Sequence, residues 1–203
     1  MTNKTEIGLF CGTFNPIHNA HLLLAQCAAE QFTLAKIYFV TSPRPPHRKD
    51  VTLSGEIRHE MVSGAVSGND KFIASTVELE RAGPSYTLDT VKHFREQFSV
   101  NLLLGADNVI HLPTWHKFDE ISQLCRLLIA PRCLEAKGRV ARMEMLTAGE
   151  LAILAKTQYS LIESPLIDIS SSIIRQRIKS GKTVRYMVPE KVWQIIEKEK
   201  YFV

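Results

Sequence analysis

Two histidines three residues apart, His18 and His21, open an apolar helical run, Leu22-Leu23-Leu24-Ala25. They follow the turn Gly12-Thr13-Phe14-Asn15-Pro16, which itself follows a short apolar run, Ile7-Gly8-Leu9-Phe10. Side chains at this spacing share one side of a helical turn. A helix N-terminus carries unpaired N–H groups and a partial positive charge, which suits a phosphate. Strand, glycine turn, histidine pair and helix therefore lay out a nucleotide site. The same pattern also fits an ordinary βα unit with a solvated helix end. It matches neither the dinucleotide nor the P-loop glycine fingerprint.

A second constellation lies near the other end, where Asp168-Ile169-Ser170-Ser171-Ser172 precedes Ile173-Ile174-Arg175-Gln176-Arg177-Ile178. Asp or Ser before such a run is an ordinary N-cap. Three serines with an arginine at a helix start can also grip a polyphosphate. The hydroxyls and backbone N–H groups donate, and the guanidinium adds a charge-assisted fork.

The elements that must position these residues alternate. Apolar runs at Ile7–Phe10, Ile37–Thr41, Phe72–Ser75, Leu102–Leu104 and Leu127–Ala130 read as strands. Helical periodicity marks Asn19–Phe32, the Ile57/Met61/Val62/Ala65/Val66 stripe, the Leu88/Val91/Phe94/Phe98 stripe and Phe118–Cys125. Ser42-Pro43-Arg44-Pro45-Pro46-His47-Arg48 cannot be helix, because its prolines lack donors and restrict their neighbours. Strands separated by helices imply a Rossmann-like, doubly wound parallel α/β sheet. The polar segments after Phe10, Thr41 and Leu104 then fall at its carboxyl edge, where ligands bind. Residues 133–158 are the least regular, and Met143–Lys156 reads as helix with Gly149 as a dissenting residue. Gly181 is a plausible C′ residue for the segment after Ser172, and Pro189 opens a final helix carrying Val192, Trp193, Ile195 and Ile196. The chain is expected to be one domain over 1–203, with a core over about 5–165 and a small C-terminal helical region over about 166–203.

Composition bounds the function. The 203 residues are 45% hydrophobic and 23% charged, enough for a sizeable core. A net charge of +4 suits a polyanionic small molecule at least as well as nucleic acid, and no nucleic-acid-binding motif accompanies it. No apolar run approaches the roughly 18 residues of a membrane span. Cys11, Cys27, Cys125 and Cys133 form no CxxC and have no zinc-ligand spacing, so no protein metal site is expected. Cys27 and Cys125 read as core thiols; Cys11, beside the phosphate turn, is either a packing residue or a thiol of lowered pKa. The set suggests a reducing, cytoplasmic setting. The exposed face of the last helix is either an interface with a second copy, making a homo-oligomer, or plain surface.

The turn from Gly12 to His21 resembles the GxFxPxHxGH signature of the nucleotidyltransferase superfamily. Ile169-Ser170-Ser171-Ser172-Ile173-Ile174-Arg175 resembles the same superfamily's ISxTxxR motif. Pro45-Pro46-His47-Arg48, Pro84-Ser85-Tyr86-Thr87, and Gly105-Ala106-Asp107 with Pro113-Thr114-Trp115 look like bacterial nicotinate-nucleotide adenylyltransferases. The resemblance runs from about Ile7 to Val192. It implies an enzyme of NAD biosynthesis that joins ATP and nicotinate mononucleotide into deamido-NAD and pyrophosphate, with Mg²⁺ accompanying ATP.

Carried onto this chain, the resemblance makes His18, His21 and Arg175 catalytic. Gly12, Thr13, Phe14, Gly105, Asp107, Arg132, Ile169, Ser170 and Ser172 join them in holding ATP. His47, Arg48, Tyr86, Thr87, Trp115 and His116 would bind the mononucleotide, with Trp115 stacked on the pyridine ring. The chain departs from the pattern at Cys11 and Ala20, where glycine is usual, and at Asn15, where aspartate is common. Ser42 stands where some relatives have asparagine, leaving that contact open. Two other readings stand beside this one: a sister adenylyltransferase acting on nicotinamide mononucleotide or pantetheine phosphate, and a nucleotide-sensing module without turnover.

Overall fold

In the computed structural model, residues 4–45, 51–130, 132–136, 139–144 and 146–203 are described, with 132–136 and 139–144 as backbone only. The elements run in chain order β1 (Glu6–Gly12), α1 (Asn19–Gln31), β2 (Lys36–Thr41), α2 (Gly55–Val66), β3 (Phe72–Ser75), α3 (Thr87–Arg95) and β4 (Ser99–Gly105). There follow α4 (Ala106–Val109), a 3₁₀ turn at Leu112–Thr114, α5 (Phe118–Leu124), β5 (Arg126–Ala130), β6 (Arg132–Ala136) and β7 (Arg139–Glu144). The chain ends with α6 (Ala148–Leu154), β8 (Tyr159–Leu161), α7 (Ser171–Lys179) and α8 (Glu190–Glu199).

Six strands form one sheet in the order β3-β2-β1-β4-β5-β8, every neighbouring pair parallel. The order reverses between β1 and β4, so their carboxyl ends open a crevice on one edge. The pleat splits the core by alternate residues. Ile7 and Leu9 of β1, Leu102 and Leu104 of β4, and Leu127 and Ile129 of β5 pack with Leu88, Val91 and Phe94 of α3. Phe10, Leu103 and Leu128 face the other way, toward Ala25 of α1 and Met61 and Val62 of α2. Ile174 of α7 and Val192 and Ile196 of α8 belong to that same cluster.

The expected doubly wound sheet is the observed one, with strand and helix limits displaced by up to three residues, as where β4 begins at Ser99 instead of Leu102. The helix expected over Met143–Lys156 is not. Residues 143 and 144 end β7, which pairs antiparallel with β6, and helix begins only after Thr147. Thr147 and Glu150 form a reciprocal capping box there, with Thr147 N–H to Glu150 Oε2 at 2.8 Å and Glu150 N–H to Thr147 Oγ1 at 3.3 Å. Gly149 falls in the first turn of that helix, not against it. Arginines and a glutamate interrupt the apolar alternation of 139–144, which hid the strand. The sixth strand, β8, was likewise unmarked, being three residues long. Gly181 takes φ +67° after α7, as a C′ residue does. Among the described residues no helix is long and apolar enough to cross a membrane.

Two glycines differ in what surrounds them. A Cβ on Gly8 would meet only the flexible ends of Leu103, Ile37 and Leu34 at 3.0–3.2 Å. A Cβ on Gly55 would lie 2.7 Å from Pro43 Cβ and 3.0 Å from its Cα. Gly55→Ala is expected to lower stability by about 1–3 kcal/mol and Gly8→Ala by less, as read from urea midpoints. The reverse order would show that the loop at Pro43 yields more readily than the core.

Candidate active site

The crevice at the β1/β4 switch point is a cleft of about 1020 Å³. That volume exceeds what a single small ligand needs. One side is the phosphate loop. Gly12 ends β1, and Phe14 adopts φ +46° so that its ring folds back over Gly12, where a Cβ would sit 2.9 Å from it. The loop then passes through a cis Asn15–Pro16 bond into α1.

His18 is the N-cap of α1 and His21 its third residue. Their rings stack with centroids 3.6 Å apart. The edges of Phe10 and Phe14 close on His21 at 5.6 and 5.2 Å. The His18 backbone N–H donates to His21 Nδ1 at 3.2 Å. In the neutral ring the proton of His21 therefore sits on Nε2. Burial pushes His18 down from 6.5 to about 4. His21 is held well below its usual value, first by burial and then by His18. Both are neutral at pH 7 in the free protein. Ala20, between them, lines the cleft with its methyl, yet both rings still line it too.

The loop's own carbonyls are engaged by two helices. Arg175 Nη1 donates to Asn15 O at 2.8 Å and Ser171 Oγ to Pro16 O at 2.9 Å, both from α7. Arg58 Nη1 of α2 donates to Thr13 O. Ser170 caps α7 by accepting from Ile173 N–H at 3.2 Å, while Ser172 and Ile169 line the cleft beside it. Ser170 therefore caps α7, and the motif lines the same cleft as the histidines.

Across the cleft, Gly105 ends β4 and Asp107 follows in the first turn of α4. A Cβ on Gly105 would fall 2.3 Å from Asp107 Oδ1, so the close approach that needs glycine is that of this carboxylate. Tyr86 caps α3 and Thr87 is its first residue. The Tyr86 ring stacks on His116 at 4.3 Å. Trp115 is half-buried and lines the cleft next to that pair. The loop after β2 joins these walls: Ser42 N–H donates to Gly12 O at 2.9 Å, Arg44 N–H to Ser85 Oγ and Ser85 N–H to Arg44 O, both at 3.2 Å.

Every sequence-derived site residue whose side chain is described lines this one cleft: Gly12 through Phe14, the two histidines, Tyr86, Thr87, Gly105, Asp107, Trp115, His116, Ile169, Ser170, Ser172 and Arg175. His47 and Arg48 lie outside the described residues, as does the Arg132 side chain. The thiol of Cys11 is not lowered. Burial, then Glu78, pushes it well above its usual value, which leaves the packing role. Among the described residues no group of three or more His, Cys, Asp or Glu could hold a metal.

Three residues at or behind the site hold roles that the sequence does not single out. Ser171 is one serine of three in its motif. Arg58, 0% exposed, sat on an otherwise apolar helical stripe. Glu78, 3% exposed, lines the cleft and has no motif around it. It accepts from Thr90 Oγ1 at 2.6 Å, and burial raises its pKa against the hydroxyls of Thr90, Ser85 and Ser42.

Depressed histidines make stability depend on pH with a definite sign. The native state disfavours the proton that the unfolded chain binds below pH 6.5, so the contribution is full above 6.5 and is lost as pH falls toward 4. For His18 this amounts to roughly 3 kcal/mol. His18→Asn should flatten the fall in urea midpoint between pH 7 and pH 4.5. Parallel curves for the two proteins would remove burial of His18 as the cause.

The chain matches the cytidylyltransferase-like family over residues 9–177. It is 35% identical over 202 residues to a probable nicotinate-nucleotide adenylyltransferase of Dehalococcoides mccartyi, covering 97% of each chain. Its identity to another of that name from Moorella thermoacetica is 36% over 201 residues, 97% of this chain and 91% of the relative. The solved nicotinic acid mononucleotide adenylyltransferase of Plasmodium falciparum complexed with NaAD shares the fold, with a TM-score of 0.75 at 20% identity over 98% of this chain and 97% of that one. The chain therefore belongs to the cytidylyltransferase-like family and, within it, to the nicotinate-nucleotide adenylyltransferases.

Proposed function

We propose that the chain, acting as a single domain, joins ATP and nicotinate mononucleotide into deamido-NAD and pyrophosphate. The observation that carries the reading is the convergence of both phosphate motifs on one cleft whose far end is the start of α3. An oxygen of the mononucleotide 5′-phosphate attacks the α-phosphorus of ATP. The new P–O bond forms as the bond from that phosphorus to the β-phosphate oxygen breaks, and pyrophosphate leaves with the electron pair. The attacking oxygen is already ionised, so no protein nucleophile is needed. Positioning and charge stabilisation are the whole task.

His21 offers its Nε2 proton, and His18 its ring, to the α-phosphoryl and bridging oxygens. The backbone at Gly12, Thr13 and Phe14 meets the nucleotides. Arg175, Ser170 and Ser172 hold the β and γ phosphates. Asp107, exposed at the cleft, accepts the ribose hydroxyls of ATP, with Gly105 beneath it. Ile169 flanks adenine, where Arg132 would join it, and His47 and Arg48 would reach the phosphates. Mg²⁺ would accompany substrate ATP and offset the charge of its phosphates, held through the nucleotide more than through protein ligands.

At the other end, Trp115 stacks on the pyridine ring, flanked by His116. The N–H groups at Tyr86 and Thr87 meet the nicotinate carboxylate. A helix start favours an anion over a neutral carboxamide, which is the basis for preferring nicotinate. These substrates and the free thiols fit a cytoplasmic setting.

Pyrophosphate release from ATP with nicotinate or nicotinamide mononucleotide, side by side, tests the reading. Nicotinate should give the higher kcat/KM; equal values would sink the assignment of the α3 terminus, and no release with either would leave a binding module. His18→Ala and His21→Ala should each lower turnover by at least about 10²-fold, as loss of a transition-state donor does. Arg175→Ala should raise the KM for ATP, and unchanged ATP kinetics would return Arg175 to bracing the loop alone.

A further inference from the structure

Arg58 lies behind the cleft and outside its lining, yet it touches both loops that form the wall. Its side chain is 0% exposed. Nε donates to Leu53 O at 3.1 Å, Nη1 to Thr13 O, and Nη2 to Pro43 O at 3.3 Å. All three acceptors are backbone carbonyls: one in the loop between β1 and α1, and two near opposite ends of the connection from β2 to α2. The planar fork of an arginine can hold three such acceptors at fixed angles, whereas a lysine ammonium cannot fix their mutual geometry. Burying a guanidinium against neutral carbonyls is costly, and burial does lower its pKa. The stretches it joins are those that must stay in register.

Both loops line the cleft, through Thr13 on one and Ser42 and Pro45 on the other, and in the reading above, on which this inference rests, that cleft holds both substrates. Thr13 belongs to the loop around the ATP α-phosphate. Pro43 belongs to the loop that hydrogen-bonds to Gly12 and to Ser85, next to the α3 terminus. Gly55, three residues before Arg58, gives the second contact to the same place, since Pro43 packs where its Cβ would be. We propose that Arg58 is a positioning residue that locks the phosphate loop to the loop after β2, and so fixes the mononucleotide phosphate in line with the α-phosphorus of ATP. It touches neither substrate.

A residue that sets the distance between two bound reactants acts on turnover more than on either affinity. Misplacement by about 1 Å can cost on the order of 10²-fold in rate. The test compares wild type, Arg58→Met, Arg58→Lys and Gly55→Ala for melting temperature, for kcat in pyrophosphate release, and for KM of each substrate. Arg58→Met should lose about 10²-fold in kcat, with each KM changed by less than about fivefold. Arg58→Lys should recover part of that loss. Gly55→Ala displaces Pro43 while leaving Arg58 in place, and should show the same split, kcat falling more than either KM rises.

Folded Arg58 variants with wild-type kcat, or a loss confined to melting temperature, would overturn the proposal. An Arg58 variant that fails to fold leaves Gly55→Ala to decide, and a Gly55→Ala protein with unchanged kcat then overturns it. The wild-type protein separately tests the reading of function: no turnover there refutes the reaction, whereas a variant-to-wild-type ratio near one refutes only the role of Arg58.

Discussion

A loop that receives a polyanion must keep its own carbonyl oxygens away from it. In this chain the carbonyls of Thr13, Asn15 and Pro16 are each held by a donor outside the loop: Arg58 on α2, and Arg175 and Ser171 on α7. Bonds from charged donors contribute roughly 1.5–3 kcal/mol each, so the loop is braced where repulsion from a triphosphate would act. This constraint makes α7 part of the site although it lies about 155 residues further along the chain. It also explains why α7 and α8 share a hydrophobic cluster with β1 and α2. A C-terminal region packed loosely could not hold the loop to within an ångström.

The histidine pair is shaped by the same packing. Stacked at 3.6 Å, with Phe10 and Phe14 closing on His21, both buried rings favour the neutral form. Charging both would set two like charges that distance apart, a repulsion of about 4–5 kcal/mol at an effective dielectric near 20. The site therefore presents two neutral rings, with the tautomer of His21 fixed by the His18 backbone N–H. Positive charge beside them comes from Arg175, which lines the same cleft. That division of labour fits nucleotidyl transfer, in which charge shifts from the attacking phosphate to the leaving pyrophosphate and no proton need move at the phosphorus.

Much of this was legible in the residues. The alternation of apolar runs gave the sheet because a buried parallel strand must be continuously apolar, as at Leu102–Leu104. Both motifs that line the cleft were readable because each sets particular side chains at fixed local spacing around a helix start. The stretch from 133 to 158 was not legible. Its hairpin mixes charged and apolar residues without a readable period, and its helix is marked only by the capping pair Thr147 and Glu150. The Tyr86–His116 stack was equally silent, since it joins residues 30 positions apart through space alone.

The sequence by itself determined the local motifs that line the cleft and the strands that deliver them to one edge. Only the tertiary structure decided what holds those turns in place. Arg58, Ser171 and Arg175 all bind backbone carbonyls. A carbonyl is the same at every residue, so the accepting position leaves no mark in the sequence. The donor's role becomes visible only when folding brings the two together.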